Sequence, residues 1–295
     1  MEGIYEIYID ADMLAFLSYI FYFAASSASP LQRRWLATKK NTDNTGQIHF
    51  SFQVTFIIVI LSLLLPLFKP AYVSGNVFYL LGLSLLCGIS GAGYFISWFV
   101  SQRHIEAGAT SLLLNINTPT AIILATLFLN EGLTLIQILG TIFLLAGMII
   151  VSKKHRMGRF TFDRFFWMMA LSGLMLGVLL AAERALQKIT GFTTGTMLSW
   201  WTQCAFLGLA TLIMHDRSTY STKDITMTGG LRFLQSLSWV ILLTVVGNLS
   251  FVSAVTTFKV VIIFIAAAIF LKEREDLLRK IIGSFIAVGG LLLMK

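Results

Sequence analysis

The sequence predicts an all-α polytopic membrane protein with ten transmembrane helices, built as two inverted five-helix repeats. Three observations carry that expectation. Apolar runs of membrane-spanning length follow one another from end to end, which a soluble core does not need. Only 12% of the 295 residues are charged and 57% are hydrophobic, with a mean hydropathy of +0.81, whereas an ordinary soluble domain carries about a quarter charged residues. The two halves of the chain also align with each other. A membrane β-barrel is excluded by runs such as ILSLLLPLF, because barrel strands alternate apolar and polar residues in short segments.

The amino-terminal MEGIYEIYIDAD is acidic and amphipathic, as in a short surface segment, and the first span follows over 13–29. Its end, AASSAS, has the small residues of a signal-peptidase site, but Glu2, Glu6, Asp10 and Asp12 stand where a signal peptide needs basic residues, so the helix is expected to be retained. After the polar stretch QRRWLATKKNTDNTGQ, the second span covers 50–68 and is closed by Pro66 and Pro70. The third, 77–101, carries Gly82, Gly88, Gly91 and Gly93, which let helices approach closely in lipid. The fourth and fifth are 109–129 and 133–151, and the basic linker SKKHRMGRFTFDR divides the chain. Five further spans are expected at 165–186, 195–214, 229–246, 249–271 and 278–294. The domain reading is therefore 1–152 as the first repeat, 153–164 as linker and 165–295 as the second repeat.

The repeat is visible without gaps. HIEAGATSLLLNINTPTAIILATLFLNE, ending at Glu131, sets against VGNLSFVSAVTTFKVVIIFIAAAIFLKE, ending at Glu273. One residue of slip then pairs Gly140 with Gly283, Thr141 with Ser284 and Gly147 with Gly290. Five is odd, so the second copy enters the membrane from the opposite face, which is an architecture of alternating-access carriers. The segment Ala107–Val151, with its Ser-Leu-Leu-Leu run, Pro119, Glu131, Gly140 and Gly147, and its copy Ser250–Met294 resemble the drug/metabolite transporter superfamily, specifically its EamA-type members. That resemblance implies a carrier of small polar metabolites whose central cavity is lined by the fourth and ninth helices. The second copy departs from the first in having Val261 where Pro119 stands.

Lys259 interrupts an otherwise apolar run, and an unneutralised ammonium near mid-bilayer costs about 3 kcal/mol or more. Glu273 lies about 21 Å away along the helix and Leu249 about 15 Å, beyond the roughly 6 Å reach of a Lys stem. Lys259 is either bonded within a static bundle or, as is favoured here, an anchor for an anionic substrate group. Its counterpart across the repeat is Asn117. Around Pro119 stand Asn115, Asn117, Thr118 and Thr120; Pro removes a donor and releases the carbonyl one turn earlier, near Asn115, for a ligand or a hydroxyl. With Thr256, one turn before Lys259, these residues form the expected polar lining. Glu183 is the carboxylate clearly inside a span, readable as a coupling site or, more plainly, as an interfacial ion pair with Arg184 or Lys188. Glu131 and Glu273 read as braces of the helical turns, and Trp200 and Trp201 as interface-belt residues.

A formal net charge of +8 reads as Lys and Arg in cytoplasmic loops, not as a nucleic-acid surface. Seventeen Lys and Arg fall in the odd-numbered loops and four on the opposite face. The positive-inside rule thus puts both termini outside, whereas ten-span relatives keep theirs in the cytoplasm, so the side stays open. Cys87 and Cys204 sit in apolar spans as packing residues. No cofactor, metal or catalytic activity is expected: the four His lie apart, and neither Gly-x-Ser-x-Gly nor His-Glu-x-x-His nor Gly-x4-Gly-Lys-[Ser/Thr] occurs. The leading reading is a secondary carrier of an anionic or zwitterionic metabolite in the cell membrane, energised by gradients or exchange. The alternative is a flippase for a lipid-linked, phosphate-bearing substrate, or a channel.

Overall fold

The structure is a computed structural model and describes residues 11–39, 46–102, 113–152, 164–217, 220–259, 261–262 and 277–294. Among these every regular element is helical. The first, α1, runs Ala11–Lys39, continuing through Pro30 for ten residues beyond the expected span. Helix α2 (Gln47–Ser62) ends in a 3-10 turn, Leu65–Leu67, at Pro66. Then come α3 (Val77–Gln102), α4 (Asn117–Leu124, running on as a π-turn, Ala125–Leu129) and α5 (Leu135–Ser152). The stretch Arg164–Met214 is two helices, α6 (164–190) and α7 (192–214), folded about Gly191 at φ 78°. The remainder are α8 (Thr222–Val246), α9 (Leu249–Thr256) and α10 (Leu277–Leu293). By length and composition, four stretches among the described residues suffice to cross a membrane: Gln47–Leu67, Val77–Trp98, Arg164–Met214 and Thr222–Val246. Asn117–Leu129 and Leu135–Gly147 are shorter apolar helices. The linker at 153–163 and the turn carrying Glu273 lie outside the described residues.

Local chemistry explains several boundaries. Asp216, in the connection after α7, places its carboxylate at the start of α2, where it accepts from the N–H groups of Gly46, Ile48 (2.8 Å) and His49 (3.0 Å); a negative charge there complements the helix dipole. Helix α8 begins seven residues before the expected 229, because Ser221 caps it by accepting from Asp224 N–H, the favoured N-cap chemistry. It ends at Gly247, whose φ of 73° suits a left-handed C-cap. Asn248 then caps α9 at once, accepting from Phe251 N–H at 3.0 Å. Two residues therefore reverse the chain.

Side-chain distribution is that of a protein in lipid with a polar interior. Phe16, Ile20, Leu85, Leu139, Ile142 and Phe285 are exposed, whereas Asn115, Asn117, Glu183, Gln187, Gln203 and Ser253 are buried. Water would favour the reverse. Packing uses close backbone approach. Helices α5 and α10 cross so tightly that a Cβ on Gly140 would lie 2.6 Å from Gly290 O, and one on Gly147 2.5 Å from Gly283 O. In the internal alignment Gly140 pairs with Gly283 and Gly147 with Gly290. Each glycine therefore meets the counterpart of the other.

Candidate substrate site between two broken helices

The centre of the molecule is a crossing of two interrupted helices. Residues 115–116 form a turn just before α4, and residues 257–258 form one just after α9. These are equivalent positions in the internal alignment. In the first, Thr118 N–H donates to Asn115 O at 3.0 Å; in the second, Thr257 and Phe258 N–H donate to Ala254 O (3.2 Å) and Val255 O (3.1 Å). The carbonyl that Pro119 was expected to release near Asn115 thus accepts within a tightened backbone turn. The two segments touch where Thr118 and Thr257 bring their hydroxyls to 2.6 Å.

Around this crossing the expected residues divide. Lys259 directs its ammonium to Tyr22 of α1, donating to Oη at 3.1 Å with the ring centroid at 5.6 Å. Among the described residues no carboxylate pairs with it. Asn117, 6% exposed, leaves its Oδ1 without a partner, and Asn115 is buried beside it in sequence. Thr256 turns its hydroxyl back to Val252 O at 2.7 Å. Thr120 does the same to Ile116 O at 2.8 Å and packs on Gly177 of α6. Both Thr side chains therefore satisfy themselves within their own helix. The Ser253 hydroxyl and Trp239 Nε1 are buried and unpartnered as well, and such atoms call for a ligand, water or other explanation. Trp239 packs against Tyr22 at 5.6 Å with the rings tilted by 41°, so an aromatic wall stands beside the Lys259 ammonium.

Glu183 and Arg184 are neighbours in sequence but point apart, about 100° around α6. Glu183 is buried, 4% exposed, and accepts from Ser199 Oγ at 3.1 Å, which in turn accepts from Gln203 Nε2 at 3.0 Å; its Oε1 is unpartnered. The expected ion pair with Arg184 or Lys188 is corrected by this geometry. Both cations serve Glu131, at 3.0 and 3.1 Å. Trp200 is also corrected: at 4% exposed it packs inside with Trp239, edge-on to Phe233 at 5.9 Å, and is no interface-belt residue. Trp201 does face outward, its Nε1 donating to Ser62 Oγ at 3.0 Å.

Three participants escaped the sequence reading. Tyr22 and Trp239 looked like ordinary span aromatics, with nothing local to mark them. Arg232 is one of the seventeen cations counted in the odd-numbered loops although the expected span starts at 229; with α8 beginning at Thr222 it lies about 15 Å along the helix, over the rings of Phe95 (5.2 Å) and Tyr94 (5.9 Å). The early Ser221 cap is the signal that would have found it.

At one end of the bundle the halves are laced together. The Glu131 carboxylate, in the turn after α4, accepts from Leu249 N–H (2.7 Å) at the start of α9 as well as from Arg184 and Lys188. Arg184 Nη2 continues to Gly247 O at 2.8 Å, and Asn248 Nδ2 donates to Gly132 O at 3.0 Å. Burial alone would push the Glu131 carboxyl up, but the Arg184 guanidinium, the Leu249 N–H and the Lys188 ammonium outweigh it and hold it below its ordinary value. Nearby, Tyr72 N–H donates to Thr194 Oγ1 (3.0 Å) and Thr193 Oγ1 donates to Lys69 O (2.6 Å). Glu131 is a brace, as its place in a turn led one to expect.

An apolar exterior, helices of spanning length and a buried polar centre between broken helices mark an integral membrane protein. The chain matches the EamA-like transporter family over residues 13–153. It is 25% identical over 219 residues, 71% of each chain, to a protein of Streptantibioticus cattleyicolor described as a probable terminal-alkyne amino-acid exporter. A solved crystal structure, 13% identical, superposes over 96% of this chain and 95% of its own with a TM-score of 0.67; that likeness concerns the fold.

Proposed function

We propose that this chain is a secondary carrier that moves a small zwitterionic or anionic metabolite of amino-acid character by alternating access, with Lys259 holding the carboxylate. The observation that carries the reading is the Lys259 ammonium, set inside the bundle with a neutral phenol as its partner and no described carboxylate to neutralise it. A charge so placed is costly unless something repays it, and an anionic cargo does so once per cycle. The unpartnered Asn117 Oδ1, Ser253 Oγ and Trp239 Nε1 supply acceptor and donor positions for the rest of the molecule. The amino-acid exporter among its relatives supports the substrate class.

In this proposal the chain is two inverted five-helix repeats, 1–152 and 165–295, spanning the cell membrane ten times. The reciprocal glycine crossing of α5 and α10 and the matched breaks at 115–116 and 257–258 support it. Glu183 is proposed as the coupling group. It faces Cys87 of α3 and Arg232 of α8 as its titratable and charged neighbours, with Ser199 bonded to it. The test is a thermal-unfolding screen of purified protein against amino acids, their decarboxylated amines and the corresponding hydroxy acids. Compounds that keep the carboxylate should stabilise the parent by more than they stabilise Lys259→Ala. Stabilisation by the amines alone would refute the assignment.

A further inference from the structure

We propose a second anion site, for a carboxylate or phosphate group, in the cleft between Lys69 and Arg184 at the laced end of the bundle. The cleft has a volume of about 330 Å³ and is lined by Lys69 and Tyr72 from the first half and Arg184, Gln187, Thr193 and Thr244 from the second. That size holds a small organic ion. No acidic side chain lines it. Glu131 is shared between Arg184 and Lys188, so one carboxylate faces three cations with Lys69 included, and the cleft keeps a net positive field focused by its walls. The Lys69 ammonium has the Phe192 ring, at 5.8 Å, as its partner and enters no ion pair among the described residues. Arg184 commits Nε and Nη2 to Glu131 and Gly247 O, while its Nη1 makes no bond among the described residues. A guanidinium fork with one arm to spare suits a carboxylate or phosphate oxygen better than a point charge does.

The walls are rigidly set. Gly191 bends the chain at φ 78°, and a Cβ there would lie 2.5 Å from Tyr72 Oη, so the loop and the bend fit only with glycine at that position. The paired bonds between Tyr72 and Thr194 and from Thr193 to Lys69 O hold the first-half loop against the second half. An anion here contacts both halves at the end where the Glu131 brace joins them, and shares Arg184 with that brace. Its source is either the cargo's own anionic end, paused at this face, or an anionic lipid headgroup from the surrounding bilayer.

The purified full chain in phosphatidylcholine nanodiscs is heated in sodium acetate, sodium phosphate and sodium chloride at equal ionic strength. The parent's Tm should rise saturably by a few degrees in acetate or phosphate over chloride. The rise should persist in Lys69→Arg and Lys259→Met and vanish in Lys69→Gln, whose exposed side chain makes loss of folding no concern. In a second arm, part of the phosphatidylcholine is replaced by phosphatidylglycerol. A Tm rise there that Lys69→Gln abolishes assigns the site to a lipid headgroup. The proposal is overturned if neither anion nor lipid raises the Tm, or if the rise is undiminished in Lys69→Gln. Persistence in Lys259→Met separates this site from the central one, which the amino-acid screen and counterflow test on their own.

Discussion

Thr118 and Thr257 meet hydroxyl to hydroxyl at 2.6 Å, both almost wholly buried, where two interrupted helices cross. Thr257 also donates to Ser253 O at 2.9 Å, so its proton goes to its own helix and Thr118 donates to Thr257. The pair is therefore unequal. Thr257→Val strands the Thr118 hydroxyl and should cost about 1 kcal/mol or more, whereas Thr118→Val should cost less. The double variant should recover part of the loss. Thermal unfolding of the three variants in one detergent checks the order.

The α5–α10 crossing makes a sharper steric statement. A Cβ on Gly290 would lie 2.5 Å from Gly140 O and 2.6 Å from Leu144 N, while one on the adjacent Gly289 meets nothing within 4 Å. Gly290→Ala should destabilise by about 1–3 kcal/mol through overpacking, and Gly289→Ala should leave the Tm nearly unchanged. Equal effects would mean that the crossing is loose.

The Glu131 brace has a pH signature. Its carboxyl is held below the ordinary carboxylate value, so its contribution to stability is complete above that value and disappears as pH falls through its lower, folded one. Glu131→Gln should lower the Tm near neutral pH, by an amount equivalent to about 1–3 kcal/mol. The gap between variant and parent should narrow steadily in acid. A gap independent of pH would show that the brace acts through shape and not through charge.

Glu183→Gln keeps the volume and the Ser199 bond while removing the titration. If Glu183 couples transport to protons, parent activity in proteoliposomes varies with pH and the variant's does not. The variant should still carry out exchange at a rate close to the parent's. Identical pH profiles for the two proteins would remove Glu183 from the coupling role.

Much of the architecture was legible in the sequence because lipid imposes few choices. Long apolar runs become helices, and a repeat at fixed spacing carries over to equivalent kinks at 115–116 and 257–258. What stayed hidden depended on direction around a helix and on partners far along the chain. Glu183 and Arg184 differ by one residue and face different neighbours. Trp200 and Trp201 likewise divide between interior and lipid. Tyr22 reaches Lys259 across 237 residues, and no local pattern announces that. Thr120 and Thr256 showed polarity at the right depth, but a helical Thr can return its hydroxyl to its own backbone, and both do.

The most direct measurement is counterflow of a radiolabelled amino acid in proteoliposomes bearing the parent, Lys259→Met or Lys259→Arg, with each variant's folding confirmed by its thermal transition. A saturable counterflow in the parent, lost in Lys259→Met and partly kept in Lys259→Arg, is the expected result. Counterflow by a folded Lys259→Met at the parent's rate would contradict the anchoring role of Lys259.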